Sequence, residues 1–310
     1  MTRTMIYTVT LNPALDYVIT VNHFAQGKVN RTASEAIVYG GKGINVSALL
    51  AALGFESVAL GFVAGFTGEE IRRGVKTLGF ASDFITVKKG MSRINVKMRS
   101  DEETEINGAG PVIEAEDVNA LMEKLSFLDT GDVLVLSGSI PAAVDSDIYR
   151  RIMAMLKGRG VLTVVDAEKK LLEEVLEYRP FLIKPNKQEL GQMFNREFTD
   201  ESEMIDCARQ LQKRGAVNVL VSMAGDGAIL ISEDGEVFRQ DVCKGKVVNS
   251  VGAGDSMVGG FLAGYLETGD YAYALRLGTA CGGATAFSKG IGTREEIERL
   301  FEELNQVGGK

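Results

Sequence analysis

Short, continuous apolar runs punctuate the chain: MIYTVTL, SVALGFV, DVLVLSG, VLTVVD, FLIK and VNVLVS. Between them lie segments such as GEEIRRGVKTLG and DSDIYRRIMAMLKGRG, whose apolar residues recur at helical spacing. Runs of this kind read as parallel strands buried on both faces, joined by right-handed helical crossovers. The pattern predicts one α/β domain over residues 1–310, a doubly wound, mostly parallel sheet flanked by helices. Residues 17–39 and 92–107 depart from that rhythm. Ile94, Val96 and Met98 alternate with polar positions before a turn at Asp101 and Glu102, which predicts antiparallel, half-buried strands. Such strands would form a small β-sheet beside the body. It suits a lid over a water-excluding site, and equally an edge sheet or a dimer interface.

Composition narrows the partners. With 34 basic and 42 acidic residues the net charge is −8, so a nucleic acid or an anionic membrane would meet net repulsion and neither is expected. The most apolar region, 251–266, is interrupted by Asp255, and no run reaches the ~18 apolar residues of a spanning helix. Cys207, Cys243 and Cys281 form no C-x-x-C, and MTRTMIYTVTLNP lacks the apolar core of a signal peptide. Three buried thiols in a cytoplasmic protein are expected. His23 is the one histidine, which removes every metal site needing two imidazoles and leaves proton transfer to a carboxylate or a lysine. His23 itself, in VNHFAQG beside a turn, reads as a loop residue.

Four segments carry candidate chemistry. In VVNSVGAGDSM a strand is expected to end in Gly252-Ala253-Gly254 and turn into a helix, leaving free N–H groups at the positive end of its dipole. That arrangement suits a phosphate, and Asp255 beside it would handle a proton or bind metal; a helix-stabilising acid after a tight turn is the alternative. Neither G-x-x-x-x-G-K-[ST] nor a correctly spaced G-x-G-x-x-G occurs. A second glycine cluster, GGKGINVS, precedes the expected helix VSALLAALG. Gly41 there permits close approach of a polyhydroxylated ligand, Asn45 can donate to and accept from hydroxyls, and Lys42 offers a point charge. Asp16, just after the first strand, lies at the carboxyl edge where open α/β sheets bind ligands, or else serves a turn. In KPNKQE, Asn186 and Glu189 share a face of a first helical turn; they suit the waters of a hydrated Mg²⁺, or a capping box, and Lys184 suits an acidic phosphate.

The segments NPALD, GGKGINV, SRINVK, SGSIP, KPNKQE, VSMAGDGA and VGAGDSMVGG follow one another in this order. Together, from about residue 5 to 300, they resemble the ribokinase-like (PfkB) sugar kinases. The resemblance implies ATP and Mg²⁺, with Asp255 as catalytic base and Gly252, Ala253 and Gly254 as anion hole. It implies Asn186 and Glu189 as holders of Mg²⁺ through water, Lys184 near the ATP phosphates, and Ser222, Gly225 and Gly227 along the nucleotide. Asp16, Gly41 and Asn45 are similar to the family's sugar-hydroxyl ligands. Lys42 and Arg93 match its sugar-phosphate ligands, with Lys28, Arg31 and Ser139 as further candidates. The implied acceptor is fructose 1-phosphate, phosphorylated at its C6 hydroxyl to fructose 1,6-bisphosphate, with tagatose 6-phosphate as the alternative. A non-catalytic sugar-phosphate sensor is the reading from another class. A homodimer through the lid sheet is a further expectation, from the strand pattern and not from the resemblance. Asn249 stands where ribokinase-type members carry an acidic residue for a monovalent cation, which leaves a potassium requirement open.

Overall fold

The computed structural model describes residues 4–307; expectations falling on residues 1–3 and 308–310 lie outside the described residues. With strands numbered in chain order, the body is a ten-stranded sheet. Its members are β1 (Ile6–Thr10), β4 (Ser57–Val63), β5 (Ala81–Ser82), β6 (Ile85–Thr86), β9 (Val133–Ser137), β10 (Leu162–Asp166), β11 (Leu182–Ile183), β12 (Asn218–Ser222), β13 (Ala228–Ile231) and β14 (Val237–Gln240). Their spatial order is β14-β13-β12-β11-β10-β9-β1-β4-β5, and β6 also pairs with β4. The apolar runs become these strands because both faces are covered; in β9 every residue is buried. All pairs from β12 to β5 are parallel, while β12–β13 and β13–β14 form an antiparallel edge that the run pattern did not anticipate.

The helices are α1 (Lys42–Ala52), α2 (Gly65–Thr77), α3 (Ala115–Leu125), α4 (Ile148–Leu156), α5 (Lys169–Val175), α6 (Lys187–Phe194), α7 (Glu201–Lys213), α8 (Ala253–Thr268), α9 (Tyr271–Ala286) and α10 (Arg294–Val307). Leu49 of α1, Phe261 of α8, Leu277 of α9 and Leu300 of α10 pack with Val135 and Leu220 on one face of the sheet. Leu121 of α3, Ile152 of α4, Leu172 of α5, Leu190 of α6 and Leu211 of α7 pack with Leu134 and Ile183 on the other. Two layers of helix around one sheet is the doubly wound arrangement. Helices α8 and α9 approach unusually closely. A Cβ added to Gly260 would lie 2.5 Å from Cys281 Sγ, and one on Gly278 2.8 Å from the Met257 carbonyl, so glycine at both positions sets the seat of α8. All three cysteines are buried free thiols. Among the described residues no helix is long and apolar enough to cross a membrane.

The remaining strands, β2 (Ala14–Val21), β3 (Thr32–Gly40), β7 (Arg93–Arg99) and β8 (Thr104–Ile106), form the separate small sheet, in the order β3-β2-β7-β8. Here one expectation needs correcting. β2–β3 and β7–β8 are antiparallel, but β2 and β7 run parallel, Asp16 opposite Asn95. Both strands leave the body at its carboxyl edge, one after β1 and the other after α2 and β6, so they run in the same direction. A second correction concerns α8. No strand feeds it: residues 241–252 form an extended loop, held by Val248 and Asn249 N–H groups donating to the Ala286 carbonyl.

Candidate active site

The order of strands reverses between β1 and β9: the chain builds β4 on one side of β1, then β9 onward on the other. Ligands bind outside the carboxyl ends of strands at such a point. A cavity of about 1700 Å³ opens there, roofed on one side by the small sheet. That exceeds the roughly 300–1,000 Å³ of a single small-ligand pocket and suits two ligands side by side.

Asp255 lies in the first turn of α8, 6% exposed. Gly252 caps this helix at φ 82°, a left-handed conformation that glycine adopts without the Cβ penalty. Among the described residues the N–H groups of Gly254 and Asp255 meet no acceptor, since the next bond up the helix is Ser256 N–H to the Gly252 carbonyl at 2.8 Å. Helix α1 begins at Lys42, not at Val46, so Lys42 and Asn45 sit three apart on one helical face. Asn45 Nδ2 donates to Asp255 Oδ2 at 2.8 Å. Lys42 Nζ lies 3.2 Å from Asp166 Oδ1, and Lys184 Nζ lies 3.4 Å from the same oxygen.

Burial, then the charge of Asp166, pushes the Asp255 carboxyl up to about 6, with Lys42, the Asn45 amide and Lys184 opposing. For Asp166, burial alone would raise the pKa, but Lys184 and Lys42 outweigh it and hold the carboxyl below its usual range. Burial alone would lower Lys42; the charges of Asp166 and Asp255 instead hold its ammonium above the usual lysine value.

At the lid end, Asn95 Nδ2 donates to Asp16 Oδ1 at 2.7 Å, and Arg93 Nε donates to the Asn12 carbonyl at 3.0 Å. Burial pulls the Arg93 guanidinium below its ordinary value, with Asp16 opposing. Burial raises Asp16, against the Asn95 amide and the charges of Lys97 and Arg93. On the far wall Asn186 and Glu189 form the capping box: each side chain accepts the other's N–H at 2.8 Å. Both still line the cavity, and Glu189 uses only Oε2 in the cap. Among the described residues no cluster of three or more His, Cys, Asp or Glu could grip a metal directly. A carboxylate oxygen left over from the cap, beside an amide, is a donor set that the waters of a hydrated Mg²⁺ would fit.

Of the expected residues, Asp16, Gly41, Lys42, Asn45, Arg93, Lys184, Asn186, Glu189, Ser222, Gly225, Gly227, Gly252, Ala253, Gly254 and Asp255 all line this one cavity. Lys28, Arg31 and Ser139 do not. Lys28 and Arg31 are exposed around the β2–β3 turn, which Asn30 closes upon itself through both polar groups of the Ala25 backbone. Ser139 is exposed in the turn after β9. His23 lies exposed beside Asp101, 3.2 Å away, as a loop residue. Asp166 and Asn95 were missed. Asp166 ends the run VLTVVD at the carboxyl edge, and Asn95 sits inside the quoted SRINVK, so position alone could have found both.

A body with this doubly wound sheet, a lid, and a carboxylate beside free amides at a helix start is that of a sugar kinase. The chain belongs to the pfkB family of carbohydrate kinases, whose profile matches residues 9–298. It is 46% identical to the 1-phosphofructokinase of Bacillus subtilis, covering 97% of this chain and 98% of the relative. It is 37% identical to the D-tagatose-1-phosphate kinase of Bacillus licheniformis, covering 98% of each. Its fold superposes on phosphofructokinase-2 from Escherichia coli, solved in complex with substrates and products, with a TM-score of 0.91, 26% identity, and 97% and 100% of the two chains covered.

The raised Asp255 carboxyl has a consequence for stability. Between the ordinary 3.8 and about 6 the folded chain holds a proton that the unfolded chain has released, so stability falls as pH rises through this window. Asp255→Asn, a neutral mimic that can still accept from Asn45, should therefore melt above wild type at pH 7.5, by roughly 2–5 °C. The difference should close as pH falls towards 4. Thermal melts from pH 4 to 8 check this, and a variant that melts below wild type at neutral pH contradicts it.

Proposed function

We propose that this protein transfers the γ-phosphoryl group of ATP to the C6 hydroxyl of fructose 1-phosphate, giving fructose 1,6-bisphosphate and ADP. The observation that carries the reading is the single cavity in which Asp255, its carboxyl raised to about 6, faces the free amides of Gly254 and Asp255 at one end and Arg93, Asp16 and Asn95 at the other. The 46% identity to a 1-phosphofructokinase supports the choice of acceptor. Residues 1–310 act as one kinase domain, and the small sheet is its lid.

The sugar binds beneath the lid, its hydroxyls held by Asp16, Asn45 and the Gly41 backbone and its phosphate gripped by Arg93, a desolvated cation that gains from an anion. The nucleotide lies along Ser222, Gly225 and Gly227. Asp255 accepts the C6 proton as the oxygen attacks the γ-phosphorus in line, the bond to the bridging oxygen of ADP breaks, and the amides at the start of α8 receive the phosphoryl oxygens. Lys184, beneath Gly254, adds positive potential. Asn186 and Glu189 would hold Mg²⁺ through water, and that ion, when bound with ATP, supplies charge neutralisation on the phosphates. A sensor without turnover has no use for a carboxylate poised this way. Tagatose 1-phosphate is a second acceptor to weigh, since a relative at 37% identity bears that activity in its name.

The open face of the lid aligns Tyr17 with Ile37 and Val96, and Val96 with Ile106; Ile37 is 57% and Ile106 63% exposed. We read it as the surface on which a second copy packs. Sedimentation should show a dimer, and Ile37→Glu combined with Ile106→Glu should yield monomer; a wild-type monomer at micromolar concentration contradicts this.

Coupled ADP release with fructose 1-phosphate, tagatose 1-phosphate, tagatose 6-phosphate, fructose 6-phosphate and ribose tests the reading, with the first expected to give the highest kcat/KM. Arg93→Ala should raise KM for fructose 1-phosphate at least about tenfold, with ATP affinity little changed and Arg93→Lys rescuing only in part. A KM within about twofold of wild type removes Arg93 from the phosphate. Glu189→Gln keeps an acceptor for the cap but loses the charge, so the Mg²⁺ concentration for half-maximal rate should rise by about threefold or more. An unchanged Mg²⁺ titration leaves Glu189 with its cap role alone.

A further inference from the structure

The turn between β12 and β13 is a thin wall between two cavities. On one side lies the site cavity, on the other a second one of about 540 Å³, and Met223, Gly225 and Val242 line both. With open space on either side, packing does not fix where this turn stands: a Cβ added to Gly225 would meet nothing within 4 Å among the described residues. The turn is also strained. Ala224 sits at φ 49°, in the left-handed region that a residue with a Cβ adopts only at a cost. Its two ends are held, Ser222 N–H donating to the Pro185 carbonyl at 3.2 Å and Met223 N–H to the Gly227 carbonyl at 2.8 Å. Its middle, around Gly225 and Asp226, needs a further support.

Arg239 supplies it. Side chains along β14 alternate between faces, so Phe238 packs on the α9 side of the sheet and Arg239 reaches out over the other. There its guanidinium meets three segments at once. Nε donates to both oxygens of Glu201, in the first turn of α7, at 2.9 and 3.1 Å; Nη1 donates to Asp241, just past the end of β14; and Nη2 donates to the Asp226 carbonyl, in the turn itself, at 3.0 Å. The Arg239 side chain is 38% exposed and that of Glu201 41%, so water screens the pair and it adds little to the stability of the fold. What a planar fork of fixed direction does provide is a position: it ties the peptide between Gly225 and Gly227 to the helix behind it. We propose that Arg239 is a positioning residue for the nucleotide, clasping the β12–β13 turn to α7 in the conformation that receives ATP, without touching ATP or the sugar. The proposal rests on the reading above that the nucleotide lies along Ser222, Gly225 and Gly227.

The test uses the full chain, first as wild type and then with Arg239→Gln and Arg239→Lys. In wild type, ADP should slow hydrogen exchange at the amides of residues 223–227. If it does not, the nucleotide lies elsewhere, and the placement above falls together with the proposal before any variant is made. In Arg239→Gln the same amides should exchange faster than in wild type when no nucleotide is present. The Kd for ADP by calorimetry and the KM for ATP should each rise about threefold or more, because binding must then re-order the turn. At saturating ATP, kcat should stay within about twofold, since the groups around Asp255 are untouched. The Kd for fructose 1-phosphate should stay within about twofold and the melting temperature within about 3 °C of wild type. Arg239→Lys should recover only part of the ADP affinity, as a single ammonium cannot meet three acceptors in fixed directions. An Arg239→Gln variant whose ADP Kd rises less than about threefold overturns the proposal. So does one in which fructose 1-phosphate affinity and melting temperature fall along with ADP affinity, the mark of a residue that only holds the fold together.

Discussion

The site depends on one buried carboxylate. Asp166, 1% exposed at the end of β10, accepts from ammonium groups that arrive from opposite directions, Lys42 from the start of α1 and Lys184 from the end of β11. An ion buried this deeply stays charged only when paired, and here the pairing ties a helix and a strand on either side of β10 together. Three helix starts, those of α1, α6 and α8, open onto the same cavity, and their dipoles add positive potential to the lysines. Against them stand Asp166, Asp255 and Glu189. The balance is close without substrates, so a polyanionic nucleotide and a phosphorylated sugar meet a surface whose potential their own charge can tip.

The same arrangement explains why Asp255 is poised and not simply ionised. Its neighbour Asp166 and its burial disfavour the charge, while Lys42, Asn45 and Lys184 restore part of it. A carboxyl near 6 accepts a proton far more readily than one near the ordinary 3.8, and it does so at the expense of the folded state. That penalty is tolerable because the rest of α8 is well seated. Gly260 and Gly278 bring α8 and α9 into backbone-range packing, and a fully buried Phe261 fills the layer beneath.

Much of this was legible in the sequence, and the part that was not has a physical reason. Strands buried on both faces write themselves as unbroken apolar runs, so β1, β4, β9, β10, β11 and β12 were each visible. Glycine clusters mark close backbone approaches and helix starts, so the segments around Gly41 and Gly252 were visible too. Pairing partners were not. That β2 runs parallel to β7 depends on where the chain re-enters the lid after α2, which no local pattern encodes. Asp166 carries no motif; its role exists only because Lys42, 124 residues away in the chain, reaches it. Lys42 itself was found, but with α1 placed from Val46 it read as a loop cation free to meet any phosphate. Starting the helix at Lys42 fixes its direction, and with it the group it faces.

The small sheet is bonded to the body through side chains that line its end of the cavity. The chain crosses between the body and the small sheet four times, after β1, before α1, before β7 and after β8, and Asn12 Nδ2 donates to the Ala109 carbonyl between the first and the last of these connections at 3.0 Å. Arg93 donates to the carbonyl of the same Asn12, while Asn95, two residues on, holds both Asp16 Oδ1 and, through its own oxygen, the Gly108 N–H at 3.1 Å. Arg93 and Asn95 are therefore also bonded to the segments that join the small sheet to the body. An anion drawn to Arg93 pulls on the Asn12 carbonyl, and a hydroxyl that engages Asp16 competes with Asn95 for the same oxygen. The reacting end has no such link, because Asp255, Asn45, Lys42 and Asp166 are all anchored in the body. On the function proposed above, the sugar end is built partly by the small sheet and the reacting end by the body alone, so closure over a bound sugar would leave the geometry around Asp255 in place.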